Sequence, residues 1–129
     1  MATIITSDDH VLSVKVKLNT EIALYSKVKI SDAERVAVLA GAGDLNVLGT
    51  ISSLPKVYPG WAGCDTPWKK LMSVDVDAEV TPGTLAKIGT PDGEGNQRFT
   101  TWDNATDSPV LIVGYFLEGG TTTAKMLTV

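Results

Sequence analysis

Leu12-Ser13-Val14-Lys15-Val16-Lys17-Leu18 places an apolar side chain at every second position with a polar one between. Successive side chains of an extended chain point to opposite faces, so this alternation predicts a strand with one face on a core and one in water. Met72, Val74, Val76, Ala78 and Val80 repeat the pattern around Ser73, Asp75, Asp77 and Glu79. That predicts a second strand, residues 72–80, with three carboxylates on one solvated face. Shorter strand candidates are residues 27–30, 45–51, 84–88, 98–102 and 121–129, while 110–117 is apolar at nearly every position and reads as a strand covered on both sides.

Two segments resist the period. Ser31-Asp32 caps either a short helix through Ala40 that ends at Gly41, or a turn followed by a strand over 35–39, and the strand is the preferred reading. Residues 54–68 hold three prolines, two glycines and two tryptophans in neither period, which predicts a long irregular loop packed on something. Turn chemistry punctuates the rest at 91–96, at 103–107 and at Gly119-Gly120. Lys29-Ile30 through Val47-Leu48-Gly49 also parallels Lys87-Ile88 through Ile112-Val113-Gly114. A duplication and an ordinary run of hairpins both produce such a pattern.

The fold expected is all-β: a compact barrel-like or sandwich-like domain of short antiparallel strands over residues 11–129, preceded by an extended arm over 1–10. A chain of 129 residues suits one domain, which buries about two thirds of the surface its unfolded form exposes. Eleven basic against fifteen acidic residues give a net charge of −4, the wrong sign for a phosphate backbone, so nucleic acid is not an expected partner. Cys64 is the only cysteine, which excludes a disulfide within one chain. The start, Met1-Ala2-Thr3-Ile4-Ile5-Thr6, lacks the basic and apolar regions of a secretory signal, and the longest apolar run is broken by Gly114. The expectation is a soluble protein made in the cytosol, with no membrane partner.

Few residues carry reactive chemistry. Asp8-Asp9-His10 has metal-ligand types, but neighbours in an extended segment point apart, and His10 has no nucleophile motif beside it. Gly41-Ala42-Gly43-Asp44 lacks the third glycine of a dinucleotide loop and reads as a turn, and Asn104-Ala105-Thr106 is a glycosylation pattern common by chance. Asp75, Asp77 and Glu79 read as a solvated face first and a cation or proton-sharing site second. No catalytic residue, metal or cofactor is expected. Lys15, Lys17, Lys27 and Lys29 align on one sheet face if their two strands pair, and read as a solvated surface first and a docking stripe for an acidic protein lattice second. Tyr58, Trp61 and Trp68 are candidates for core, for an interface, or for stacking on a ligand.

Residues 98–114, Arg98-Phe99-Thr100-Thr101-Trp102-Asp103-Asn104-Ala105-Thr106-Asp107-Ser108-Pro109-Val110-Leu111-Ile112-Val113-Gly114, resemble the head decoration proteins of lambda-type phages. That family shows a short strand, a Trp-Asp-led turn and an apolar strand with glycine, and 119–124, 26–30 and 43–49 are similar to further parts of its pattern. About half the chain is covered. Trp102 lies later here than in the family, and the 54–68 loop has no counterpart in it. The resemblance implies a capsid cement protein of the virion surface, a homotrimer on the major capsid protein lattice. The arm, with Thr3, Ile4, Ile5 and Thr6, would contact that lattice, and Trp102, Asp103 and Asp107 are the family positions. Other readings of the same residues are a head-fibre or tail-tube module, or a carbohydrate-binding module using Tyr58, Trp61 and Trp68.

Overall fold

The computed structural model describes residues 11–129. In chain order the strands are β1 (Leu12–Leu18), β2 (Lys27–Ile30), β3 (Ala37–Leu39), β4 (Gly49–Ser53), β5 (Gly60–Thr66), β6 (Lys70–Asp75), β7 (Leu85–Ile88), β8 (Phe99–Thr101), β9 (Gly114–Glu118) and β10 (Thr123–Thr128). They form two five-stranded antiparallel sheets, ordered β1-β5-β4-β2-β3 and β6-β10-β9-β7-β8. The protein is all-β.

Each strand of the second sheet takes the place of the strand five earlier in the chain, and the registers agree as well. Val28 faces Gly49 as Ala86 faces Gly114, Lys29 faces Val38 as Lys87 faces Thr100, and Ile51 faces Cys64 as Phe116 faces Met126. A register shift interrupts β4–β5 after Ile51, and the matching shift interrupts β9–β10 beside Phe116. Loop hydrogen bonds repeat too: Tyr25 N–H to Ile51 O at 2.9 Å corresponds to Gly83 N–H to Phe116 O at 2.8 Å. Both donors have positive φ, 69° and 85°. The weak sequence parallel between 29–49 and 87–114 is therefore a structural repeat, of residues 12–66 and 70–128. A single parallel bridge draws the edges of each sheet together, Lys17 with Val36 and Val76 with Phe99, so each curls toward a small barrel without closing.

Val14, Val16, Leu18, Val28, Ile51, Ala62 and Cys64 fill the first unit. Val74, Val76, Val80, Ala86, Phe116, Ala124 and Met126 fill the second. The opposite face of the second sheet is also apolar, and its Leu85, Tyr115, Leu117 and Leu127 belong to the first unit's core. Burying each of those leucines is worth about 2 kcal/mol. At this seam the Tyr115 hydroxyl accepts from Ile30 N–H at 3.0 Å and donates to Asn46 O at 2.9 Å. Asn46 Nδ2 donates to Gly83 O at 2.7 Å. A Cβ at Gly83 would stand 2.2 Å from Ile30 O, so both the close approach and the positive φ require glycine there. The matching positions of the first unit are Lys27, Thr50, Ser52 and Asp65, all polar. The two units thus stack head to tail, with the outer face of one on the end of the other.

Four expectations are corrected. Residues 54–68 are not one irregular loop, because Gly60–Thr66 is an interior strand of the first sheet. Its inward residues, Ala62, Cys64 and Thr66, are small because a tightly curled sheet has little interior room, and small residues hide the alternation. The 72–80 strand ends at Asp75, since the chain turns away to form the bridges at Val76 and Val80. Within 45–51 only Gly49 onward pairs, leaving Leu45 exposed. Within 110–117 the strand begins at Gly114, and Pro109–Leu111 is a 3-10 turn capped by Ser108. From Gly114 to Leu117 every residue is buried, as expected of a strand covered on both sides. Of the two readings of 31–40, the turn and strand is the one formed, with Arg35 at φ 54° in the turn.

Tyr115→Phe would leave Ile30 N–H and Asn46 C=O without their hydroxyl partner in a buried seam, a loss of about 1–3 kcal/mol. Urea unfolding is expected to show a lower midpoint with an unchanged slope.

Candidate binding surfaces

The Trp102–Ser108 turn is a built device. Trp102 is buried and its Nε1 donates to Ser108 O at 2.9 Å. Asp103 Oδ1 accepts from Ala105 N–H at 2.9 Å, and Asp107 Oδ2 accepts from Asp103 N–H at 2.8 Å. Asp107 also pairs with Lys87 Nζ at 2.7 Å, which ties the turn to β7. Lys87, and secondarily the Asp103 N–H, holds the Asp107 carboxyl below the ordinary carboxylate range. The first unit repeats the clasp: Asp44 accepts from Gly41 N–H at 2.6 Å and pairs with Lys29 at 3.0 Å, and its carboxyl is lowered by the Gly41 N–H first and Lys29 next. In these contacts Trp102, Asp103 and Asp107 shape and anchor a turn.

The aromatic candidates separate. Tyr58 and Trp68 pack against the first unit's core, while Trp61 is 54% exposed on the outward side of β5. The trio does not form one stacking platform. Trp61 instead borders an open cleft of about 480 Å³ with Lys15, Glu34, Arg35 and Glu118. Arg35 Nε bonds Glu118 Oε2 at 2.5 Å, and Glu34 Oε1 accepts from Gly119 N–H at 3.3 Å. These contacts bind the first unit's β2–β3 turn to the end of β9. The Arg35–Glu118 pair joins residues far apart in sequence, and no local pattern announces it.

The expected lysine stripe does not form from paired strands, since β5 and β4 lie between β1 and β2. Lys27 Nζ bonds Thr50 Oγ1 at 2.6 Å and Lys29 is held by Asp44, which leaves Lys15 and Lys17 beside Trp61. The three carboxylates do not share a strand face either: Asp75 ends β6, while Asp77 Oδ2 turns to accept from Thr90 N–H at 2.7 Å. Asp8, Asp9 and His10, and the arm residues Thr3, Ile4, Ile5 and Thr6, lie outside the described residues.

Burial, with Asp65 adding to it, pushes the Cys64 thiol up to about 12, so it stays a neutral core group at ordinary pH. Among the described residues no three His, Cys, Asp or Glu side chains are grouped to hold a metal ion, and no helix is long and apolar enough to cross a membrane. No family model, curated protein or solved structure matches the chain.

A second apolar surface lies at the far end of the second unit, where Ile88, Val110 and Leu111 line a cleft of about 240 Å³ with Lys87 and Val113. Val110 is 85% exposed. The apolar run 110–117 predicts an interior strand, and only the 3-10 turn at Pro109–Leu111 puts Val110 and Leu111 outside.

A lowered carboxyl stabilises the fold fully above its ordinary value of about 4, and that contribution disappears as pH falls toward the lowered value. Asp107→Asn is therefore expected to melt below the parent at pH 7, with the gap narrowing as pH drops below about 4. Calorimetry across that range checks the sign. Cys64 in the native protein is expected to resist iodoacetamide at pH 8 and to react fully once unfolded, as mass spectrometry would show.

Proposed function

We propose that the protein is a decoration protein of a tailed-phage capsid, a homotrimer that binds the outer surface of the expanded head and stabilises it against internal DNA pressure. The carrying observation is a body built to adhere at two places. Trp61 stands out from the face of the first unit, and Ile88, Val110 and Leu111 stand out from the end of the second. Contiguous exposed apolar side chains mark sites of association. The turn from Trp102 to Asp107, on which the family resemblance rests, is tied to β7 by the Lys87–Asp107 pair and by Trp102 N–H donating to Leu85 O, and this suits a part that transmits load.

Stabilising a lattice needs many modest contacts acting together, each crossing a subunit boundary. Residues 2–9, short and β-prone in sequence, suit a strand added to the capsid protein on binding. The site of action in this reading is the virion surface.

The test is co-sedimentation with purified expanded heads that lack their decoration. The intact chain is expected to pellet with heads and raise their disruption temperature. A variant lacking residues 2–9 is expected to melt like the parent yet stay in the supernatant. An intact chain that fails to pellet overturns the reading, and undiminished binding by the shortened chain removes the arm from it.

A further inference from the structure

The repeat supplies a comparison within one chain: what the fold demands recurs in both units, and what it does not demand is free to differ. Trp61 does not recur. Lys17 faces Trp61 as Asp75 faces Thr123, so the matching position of the second unit holds a threonine. Lys15 facing Gly63 likewise matches Ser73 facing Lys125. The unit therefore forms with a small polar residue where the first unit holds an indole 54% exposed. The neighbouring turn differs as well. The second unit's β7–β8 hairpin meets its positive φ with a glycine, Gly95 at 84°, whereas the β2–β3 turn holds Arg35 at 54°. A left-handed residue other than glycine costs backbone energy, and here it brings a guanidinium to the cleft beside Trp61.

The chemistry of that cleft, about 480 Å³ between Trp61, Arg35, Lys15, Glu34 and Glu118, narrows the class of ligand. Two cations stand against two carboxylates, and widening the circle to Lys17 and Asp65 adds one of each sign. A site with no net charge favours neither an anion nor a cation. Covering it with an apolar partner would strip water from four charged groups. What remains is an aromatic face beside donors, Lys15 and Arg35, and acceptors, Glu34 and Glu118. Arg35 Nε and Glu118 Oε2 are engaged with each other, and Glu34 Oε1 accepts from Gly119 N–H, so these side chains are held in place. The other guanidinium nitrogens and the second oxygen of each carboxylate still have hydrogen bonds to make.

We infer that this cleft binds a neutral carbohydrate, with a pyranose ring laid on Trp61 and its hydroxyls bonded to Lys15, Arg35, Glu34 and Glu118. A pyranose presents an apolar C–H face, which packs on an indole, and hydroxyls that each donate one hydrogen bond and accept others. It thus uses both halves of the surface, as a pocket with an aromatic wall and a few placed polar groups requires. Tyr58 and Trp68 take no part, since both pack on the first unit's core. The inference goes beyond capsid attachment by giving Trp61, one of the two adhesive places, a target other than the head. On a particle bearing many copies, weak sites of this kind act together.

The isolated protein, with no heads present, is tested on an array of neutral oligosaccharides ending in glucose, galactose or N-acetylhexosamine, printed beside sialylated and sulfated ones. The parent is expected to bind at least one neutral class. Titration calorimetry with that oligosaccharide is then expected to show at least a tenfold loss of affinity for Trp61→Thr, which installs the second unit's own residue and melts like the parent. Lys15→Ala, which keeps the indole and alters an exposed side chain, is expected to bind several-fold more weakly at unchanged stability. If Trp61→Thr melts early, nuclear Overhauser contacts between sugar ring protons and the Trp61 indole of the parent decide instead. No neutral glycan bound, binding confined to charged glycans, Trp61→Thr binding like the parent, or a bound sugar that makes no contact with that indole each overturns the inference.

Discussion

The outer face of the second sheet against the end of the first is the contact on which the architecture depends. Each unit is a five-stranded sheet too small to enclose a generous core, the first filled by valine, leucine and isoleucine with small residues, the second mainly by valine and alanine around Phe116 and Met126. Leu85, Tyr115, Leu117 and Leu127 add four large side chains to the first unit's own Leu18, Leu48 and Ile51, and Tyr115 satisfies two backbone groups that the end of β2 and the β3–β4 loop would otherwise bury unpaired. Gly83 is glycine because two backbones meet there. The covered strand β9 and the Arg35–Glu118 pair both follow from this one seam.

Comparison of the units separates what the fold needs from what the molecule does with it. The Lys–Asp clasp occurs in both, Lys29 with Asp44 and Lys87 with Asp107, and in both the carboxylate also accepts from the backbone N–H that opens its turn. It belongs to the fold. The outer faces have diverged, one leucine-rich and buried, the other lysine-bearing and, among the described residues, exposed around Trp61. That divergence makes the chain directional, with an unlike surface at each end, and directional bodies suit rings and lattices.

The parts legible in the sequence are those in which a strand's two faces differ in polarity. β1 and β2 fall where the alternation puts them, and β7, β8 and β10 lie within the predicted segments, because large apolar side chains alternate there with charged or hydroxyl ones. β5 was hidden because its inward residues are small and its outward residues include Trp61, which inverts the usual contrast between large buried and small exposed. The binding surfaces were partly legible. Trp61 was singled out by type, but its separation from Tyr58 and Trp68 depends on which side of β5 it occupies, and Val110 was misread because an apolar run carries no mark of where a 3-10 turn interrupts it.

The order of residues alone determined an all-β chain with a weak internal echo, since the twofold period of an extended backbone is written locally, in side chains two apart. Tertiary structure decided which of two equivalent surfaces is core and which is exposed. Ile30 and Ile88 occupy the same position of the same unit, yet one is sealed and the other open. The difference lies in a neighbour dozens of residues away that reaches one end and not the other, and no local pattern records it.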